Sequence, residues 1–209
     1  MKKAYLVLNG NDFFNLKNSI NKEYFVVAVD GGFHHLNNNN LKVDLLLGDF
    51  DSFKNPKLPD VEIIKFPTEK DFSDLYLALE EMKSRGFKEI YVDAVFGGRF
   101  DHELANYENA ISFARYFDKI VFLGQNQTVH FLTKNKNLNL PIDTIVSFFS
   151  GTEKVSNLSL NGFKYSLDNY SLKRESPLGL SNVTTGSNQN IKFSDGVLVM
   201  SINLSEALN

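Results

Sequence analysis

The chain has 209 residues, of which 43% are hydrophobic and 22% charged, with a formal net charge of −3. That is an ordinary soluble globular composition with enough chain for one large domain or two small ones, and it lacks the basic excess of a general nucleic-acid binder. With no cysteine in the sequence, disulfides, thiolate catalysis and zinc–cysteine sites are excluded.

The N-terminal "MKKAYLVLNGND" has too short an apolar run for a signal sequence and reads as a first strand over 4–8. No apolar run approaches the ~18 residues of a membrane span. The expectation is a cytoplasmic protein with no membrane or nucleic-acid partner. Further strands follow at YFVVAV (24–29), VDLLL (43–47), VEIIKF (61–66), EIYVDAVF (89–96) and KIVFLG (119–124). These runs are almost continuously apolar, as in strands covered on both faces.

Between them, "DFSDLYLALEEMKSRGF" places Leu75, Ala78, Leu79 and Met82 on one helical face. Asp71 and Asp74 resemble a capping arrangement, and Gly86 is the stop. A second helix is predicted from about His102 to Phe117, with Leu104, Tyr107, Ile111 and Ala114 on its apolar side. "NNNN" (37–40) reads as a loop tip between helix and strand. Strands alternating with helices predict a doubly wound, mostly parallel, Rossmann-like sheet over 1–125.

After about residue 125 the pattern changes to short β runs: QTVHFLT, TIVSFFSG, KVSNLSLNGF, NIKF and VLVMSINL. "SDG" (194–196) between the last two reads as a hairpin turn. Residues 126–209 are therefore expected to form a C-terminal all-β sandwich domain.

The acids gather where strands end. Asp30 follows the second strand and precedes Gly31-Gly32. Asp49 and Asp51 follow the third, in "DLLLGDFDSF". Asp71 and Asp74 follow the fourth, and "GGRFDH" after the fifth brings Arg99, Asp101 and His102. In open parallel sheets, ligands bind outside the carboxyl ends of the strands. Carboxylates crowded there repel one another unless a cation joins them, and magnesium suits carboxylate and phosphate oxygens. Gly31-Gly32 and Gly97-Gly98 permit close backbone approach, while Lys70, Arg99 and His102 can neutralise phosphate. Together these suggest metal-assisted phosphoryl or pyrophosphoryl transfer. Taken singly, Asp71 and Asp74 are as well explained as helix caps and Asp30 as a turn former. Asp44 and Asp93, inside strand runs, read as structural.

Taken in order, "VDGGFHHL", "LLLGDFDSF", "FPTEKDFSDLYLAL" and "FGGRFDHELAN" resemble the motif set of the thiamine pyrophosphokinases (thiamine diphosphokinases). "SPLGLSNVTTG" followed by "FSDGVLVM" resembles that family's thiamine-binding end. The resemblance implies an α/β domain that binds ATP and Mg2+, followed by a β-sandwich that binds thiamine, in a homodimer with sites at the interface. It implies transfer of pyrophosphate from ATP to the thiamine hydroxyl, releasing AMP.

On this chain the resemblance assigns metal and phosphate roles to Asp30, Asp49, Asp51, Asp71, Asp74, Arg99, Asp101 and His102. Gly31, Lys70 and Ser73 fall beside them in the nucleotide motifs, with Ser73 where the family commonly has Thr. Ser181 and Asn182 of "GLSN" fall on the thiamine side, although composition alone reads them as a β-turn. The family often has Gly-Ala-Thr before "GGR"; here Ala94-Val95-Phe96 stands.

Two other functions fit parts of the pattern. A haloacid-dehalogenase-like phosphatase would use Asp49 as nucleophile and Asp51 as acid/base, but that signature continues with Gly-Thr, not Ser52-Phe53. A nucleotide or thiamine sensor without turnover would accommodate the altered Ala94-Val95-Phe96.

Overall fold

The computed structural model describes residues 2–15, 23–49, 60–67, 71–176 and 178–204. The chain divides into two compact units, Met1–Gln125 and Asn126–Asn209. The architecture is mixed α/β, with a large parallel sheet in the first unit and antiparallel strands in the second.

In chain order, the first unit holds β1 (Lys3–Val7), β2 (Phe25–Val29), α1 (Gly32–Asn38), β3 (Leu45–Gly48) and β4 (Glu62–Lys65). It continues with α2 (Asp74–Ser84), β5 (Glu89–Asp93), α3 (Phe100–Phe113) and β6 (Lys119–Leu123). All pairings are parallel, in the order β6-β5-β1-β2-β3-β4. The apolar runs are buried as expected: Leu45, Leu46 and Leu47 of β3 are all fully covered, each contributing about 1.5–3 kcal/mol relative to exposure. Edge strand β4 is the exception, with mostly exposed side chains. It is tied down instead by Arg85, which follows α2 and pairs with both Glu62 and Glu81.

The chain steps outward from β1 to β4, then returns to place β5 on the other side of β1. The direction of winding therefore reverses between β1 and β5, and their carboxyl ends diverge to leave a crevice.

Helix α2 buries the predicted face, Leu75, Ala78, Leu79 and Met82. Its cap differs from the expected acid pair: Ser73 Oγ accepts from the Tyr76 N–H at 3.2 Å, and Asp74 is the first helical residue. A hydroxyl in extended backbone reaches the orphan amide directly, which leaves Asp71 outside the cap. Gly86 stops the helix with φ 73, a left-handed conformation that favours glycine.

Helix α3 begins and ends earlier than predicted; of the expected apolar side only Ala114, just beyond the helix, is fully buried, and the covered stripe is Ala110 and Phe113 continued by Ala114 and Phe117. Two apolar stripes compete on this segment. The one containing Ala110 allows closer packing, and Phe113 meets Tyr76 of α2 edge-on with centroids 5.1 Å apart. Leu104 is consequently 47% exposed and Phe100 77%.

The second unit contains β7 (Gln127–Leu132), β8 (Lys136–Leu138), β9 (Ile145–Ser150), β10 (Lys154–Asn161), β11 (Leu167–Lys173), β12 (Gly179–Val183), β13 (Gln189–Lys192) and β14 (Leu198–Asn203). Strands β12-β9-β14-β7 pair antiparallel, and β11-β10-β13-β8 form a separate antiparallel sheet. Phe148 and Val146 of β9, Leu158 and Leu160 of β10 and Met200 of β14 share one core.

Ser194-Asp195-Gly196 is not a hairpin turn. β13 and β14 lie in different sheets, and the segment crosses between them, held by Ser194 N–H to Ser156 O and Ser156 N–H to Asp195 O, both 3.0 Å. The alternating apolar residues on either side fill the shared core from opposite sheets, so the two strands have no reason to pair. Strands β8, β11 and β12 lie in segments too polar to have been singled out as strands from sequence.

Candidate active site

A cleft of about 510 Å³ opens at the crevice between the carboxyl ends of β1 and β5. Its walls are strand exits and helix starts. Leu8, Asn9 and Gly10 follow β1, and Val29 and Asp30 end and follow β2. Phe72, Ser73, Asp74 and Leu75 open α2, while Ala94 and Val95 follow β5. Gly98, Arg99, His102, Glu103 and Asn106 come from the entry and first turns of α3.

Asp30 leaves β2 with φ 46. Its N–H donates to Leu47 O at 2.7 Å, and its carbonyl accepts from Phe33 N–H at 3.2 Å. This unusual backbone turns the acid away from the strand line and into the cleft wall. Gly31 follows, its Cα face closed by the Asn9 side chain.

Across the cleft, Ser73 Oγ also accepts from Asn109 Nδ2 at 2.7 Å, linking the start of α2 to α3. Asp74, in the first turn of α2, sits where a helix dipole favours negative charge. Arg99 occupies the N-cap position of α3 and lies 74% exposed. Its Nε and Nη2 donate to the two oxygens of Asp101 at 3.1 and 2.6 Å. The Asp101 hydrogen bond and charge raise the Arg99 pKa, and the Arg99 hydrogen bond lowers that of Asp101. The pair is therefore charged at any working pH, and a fork fixed on one carboxylate keeps its remaining N–H for another oxyanion.

Thus Asp30, Gly31, Ser73, Asp74, Arg99, Asp101 and His102 lie within or beside one cleft. Asp49 follows β3 half-buried and Asp71 is exposed; neither lines it. Asp51 and Lys70 lie outside the described residues. Among the described residues no three acidic or histidine side chains converge as a metal site. The cleft does offer three carboxylates, Asp30, Asp74 and Glu103, the last accepting from Gly98 N–H at 3.0 Å.

In the second unit, Ser181 sits within β12 at φ 54, its N–H donating to Ser147 Oγ at 3.0 Å. Asn182 is buried. Its Oδ1 accepts from Tyr165 and Val183 N–H, and its Nδ2 donates to Tyr165 O at 2.8 Å. The expected turn is a strand with one left-handed residue.

Sequence reasoning passed over Asn9, Gly10 and Asn106. The signal for the first two was the Asn-Gly dipeptide at the end of the first strand, on the same sheet edge as the acids. Gly10 admits no side chain: a Cβ there would overlap the carbonyls of Ala94 and Phe96. Ala94 itself has φ 52, a left-handed backbone that favours glycine, with alanine in it.

A parallel sheet that gathers acids, an arginine and two helix N-termini at its switch point defines a phosphate-handling α/β enzyme. Residues 16–122 match the family described as "Thiamin pyrophosphokinase, catalytic domain", and residues 128–198 match "Thiamin pyrophosphokinase, vitamin B1 binding domain".

Among curated relatives, the thiamine pyrophosphokinase of Bacillus subtilis is 28% identical over 165 residues, spanning 73% of this chain and 75% of that one. Thiamin pyrophosphokinase 1 of Caenorhabditis elegans is 27% identical over 202 residues, spanning 90% and 82%. The crystal structure of the Bacillus subtilis enzyme superposes with a TM-score of 0.88 at 25% identity, covering 98% of this chain and all, 100%, of that chain. That of Geobacillus thermodenitrificans gives 0.85 at 25% identity, covering 99% and 100%. The chain belongs to the thiamin pyrophosphokinase family.

Proposed function

We propose that the switch-point cleft binds ATP with Mg2+ and delivers its terminal pyrophosphoryl group to thiamine held by the second unit. The hydroxyl oxygen of thiamine attacks the β-phosphorus. The bond from that phosphorus to the oxygen bridging the α-phosphorus breaks, AMP leaves, and the hydroxyl proton is released. The single observation that carries this is the convergence of Asp30, Asp74, Arg99 and His102 on one cleft at the β1/β5 crevice.

Asp30 and Asp74 would hold the cation. An oxygen-only set of one or two carboxylates, completed by phosphate and water, is what magnesium accepts. When bound, the ion would offset negative charge on the phosphates. Arg99 supplies positive charge to the moving phosphoryl oxygens, and Asp101 fixes its fork. His102, in the first turn of α3, adds a further donor. Ser73 places its own amide and that of Asp74 at the start of α2, a favourable setting for anions. The resemblance gives metal and phosphate roles to Asp49, Asp51, Lys70 and Asp71 as well; Asp49 and Asp71 do not line this cleft, and Asp51 and Lys70 lie outside the described residues.

The match of residues 128–198 to a vitamin B1 binding domain supports placing thiamine on the second unit. There Ser181 offers its hydroxyl, and Asn182, engaged by Tyr165, holds that strand in shape. We further infer a Rossmann-like, doubly wound first unit, a β-sandwich second unit, and a homodimer in the cytoplasm. The exposed Phe100 and Leu104 on α3 favour a covering partner surface.

The test is product analysis with ATP, Mg2+ and thiamine. The reading predicts AMP and thiamine diphosphate in equal amounts. ADP with thiamine monophosphate, or no thiamine-dependent product, overturns it.

A further inference from the structure

Asp93 ends β5 and is fully buried, at 0% exposure. Among the described residues its carboxylate faces donors only. Oδ1 accepts from Phe14 N–H at 2.8 Å and Ala94 N–H at 2.6 Å, and Oδ2 accepts from Asn15 N–H at 3.0 Å and from the Tyr5 hydroxyl. Among the described residues no cation is a partner. A buried carboxylate without a counter-charge is costly, and burial raises its pKa against the downward pull of the Tyr5, Phe14, Asn15 and Ala94 bonds. An apolar residue would satisfy a strand interior more cheaply, so the acid has a use that strand packing does not supply.

That use is visible in what the four donors belong to. Beyond β1 the chain stays paired with the exit of β5: Leu8 N–H donates to Asp93 O at 2.9 Å, Gly10 N–H to Ala94 O at 2.7 Å and Asp12 N–H to Phe96 O at 3.1 Å. Asn11 Nδ2 adds a bond to Gly97 O at 2.6 Å. The carboxylate then closes the far end of this segment through Phe14 and Asn15, and through Ala94 N–H it also pins the residue held at φ 52. Asn9, Gly10, Ala94 and Val95, which wall the cleft, are thereby bracketed between backbone pairing on one side and the carboxylate on the other.

We propose that Asp93 is a positioning residue for pyrophosphoryl transfer: its buried carboxylate latches the segment after β1 to the exit of β5 and so holds the cleft wall in its working shape. This rests on the reading of the cleft as the ATP site. The ligand never touches Asp93; the residue acts through the backbone of Asn9–Asn15 and Ala94.

The experiment compares the full chain with Asp93→Asn, which keeps the shape but sets an amide Nδ2 against donors. Amide hydrogen exchange and steady-state kinetics with Mg-ATP and thiamine are read on the same preparations. The latch predicts that Phe14 and Asn15 amides exchange at least about tenfold faster while β2 and β3 amides keep their protection. It also predicts that kcat falls about ten- to hundredfold with the KM for thiamine within about threefold of wild type.

Unchanged exchange at Phe14 and Asn15 overturns the latch. A loosened segment with kcat within about twofold of wild type overturns its role in the reaction. Should β2 and β3 amides also lose protection, the double variant Tyr5→Phe/Asp93→Asn, which removes the buried hydroxyl facing the new amide, is read by the same criteria. A wild-type chain without thiamine-dependent turnover overturns the reading of the cleft itself, an outcome distinct from either failure of the latch.

Discussion

Asn109 on α3 donates a 2.7 Å hydrogen bond to the Ser73 hydroxyl that caps α2. One oxygen thus fixes a helix N-terminus and ties together two helices that flank the cleft. Ser73→Ala should lose about 1 kcal/mol of stability by urea denaturation, the usual cost of an N-cap. It should also lower kcat/KM more than Asn109→Ala, because it releases both bonds. Ser73→Thr keeps the hydroxyl and should restore most of both quantities; a Thr variant as impaired as Ala would contradict the capping role.

Arg99 and Asp101 form an exposed fork, 2.6 Å at its shorter bond. Such a pair contributes little to folding, so its value lies in presenting the guanidinium. Arg99→Ala should leave the melting temperature near wild type and lower kcat by about a hundredfold, with the KM for thiamine little changed. Arg99→Lys should recover only part of this, since an ammonium lacks the planar fork. Kinetics in which Arg99→Ala alters only thiamine affinity would refute the assignment.

Ala94 is buried and holds φ 52. Left-handed backbone costs a non-glycine residue about 1–2 kcal/mol, and added unfolded-state freedom of glycine returns about half of that. Ala94→Gly should therefore stabilise the chain by up to about 1 kcal/mol. Ala94→Val should destabilise it, the branched side chain being poorly suited to this backbone. Denaturation midpoints of the two variants moving in the same direction would count against it.

Asn182 is 3% exposed, with its amide spent on Tyr165 and Val183. Asn182→Ala removes the three hydrogen bonds of a buried amide and should cost about 1–3 kcal/mol, measured by urea denaturation. Ser181→Ala should cost little stability but raise the KM for thiamine. An Asn182→Ala chain of wild-type stability would show that the buried amide does not support the strand.

The parallel half of the fold was legible because its strands are continuous apolar runs and α2 carries one unambiguous stripe, Leu75 to Met82. On α3, two stripes of similar quality overlap, and only tertiary packing against Tyr76 selects the one containing Ala110. Strands β8, β11 and β12 are short, polar and held by long-range pairing, so no local period announces them.

The acids at strand ends revealed the edge on which the cleft lies. The sequence does not distinguish Asp30 and Asp74, which line it, from Asp49 and Asp71, which do not, because every one of them follows a strand. Asn9 and Gly10 carry no charge and drew no notice, yet they form the wall nearest β5. Asp93 reads as structural from its place in a strand; its four donors, from positions up to 88 residues away in the chain, leave no local signal.

The central claim is that the nucleotide lies in the crevice between β1 and β5. The most direct measurement is a crystal structure with Mg2+ and a non-cleavable α,β-methylene analogue of ATP. The account predicts the triphosphate chain against Asn9, Gly10, Ser73 and Arg99, with the cation on Asp30 and Asp74. A nucleotide bound away from these residues, with the β1/β5 crevice filled only by water, would contradict it.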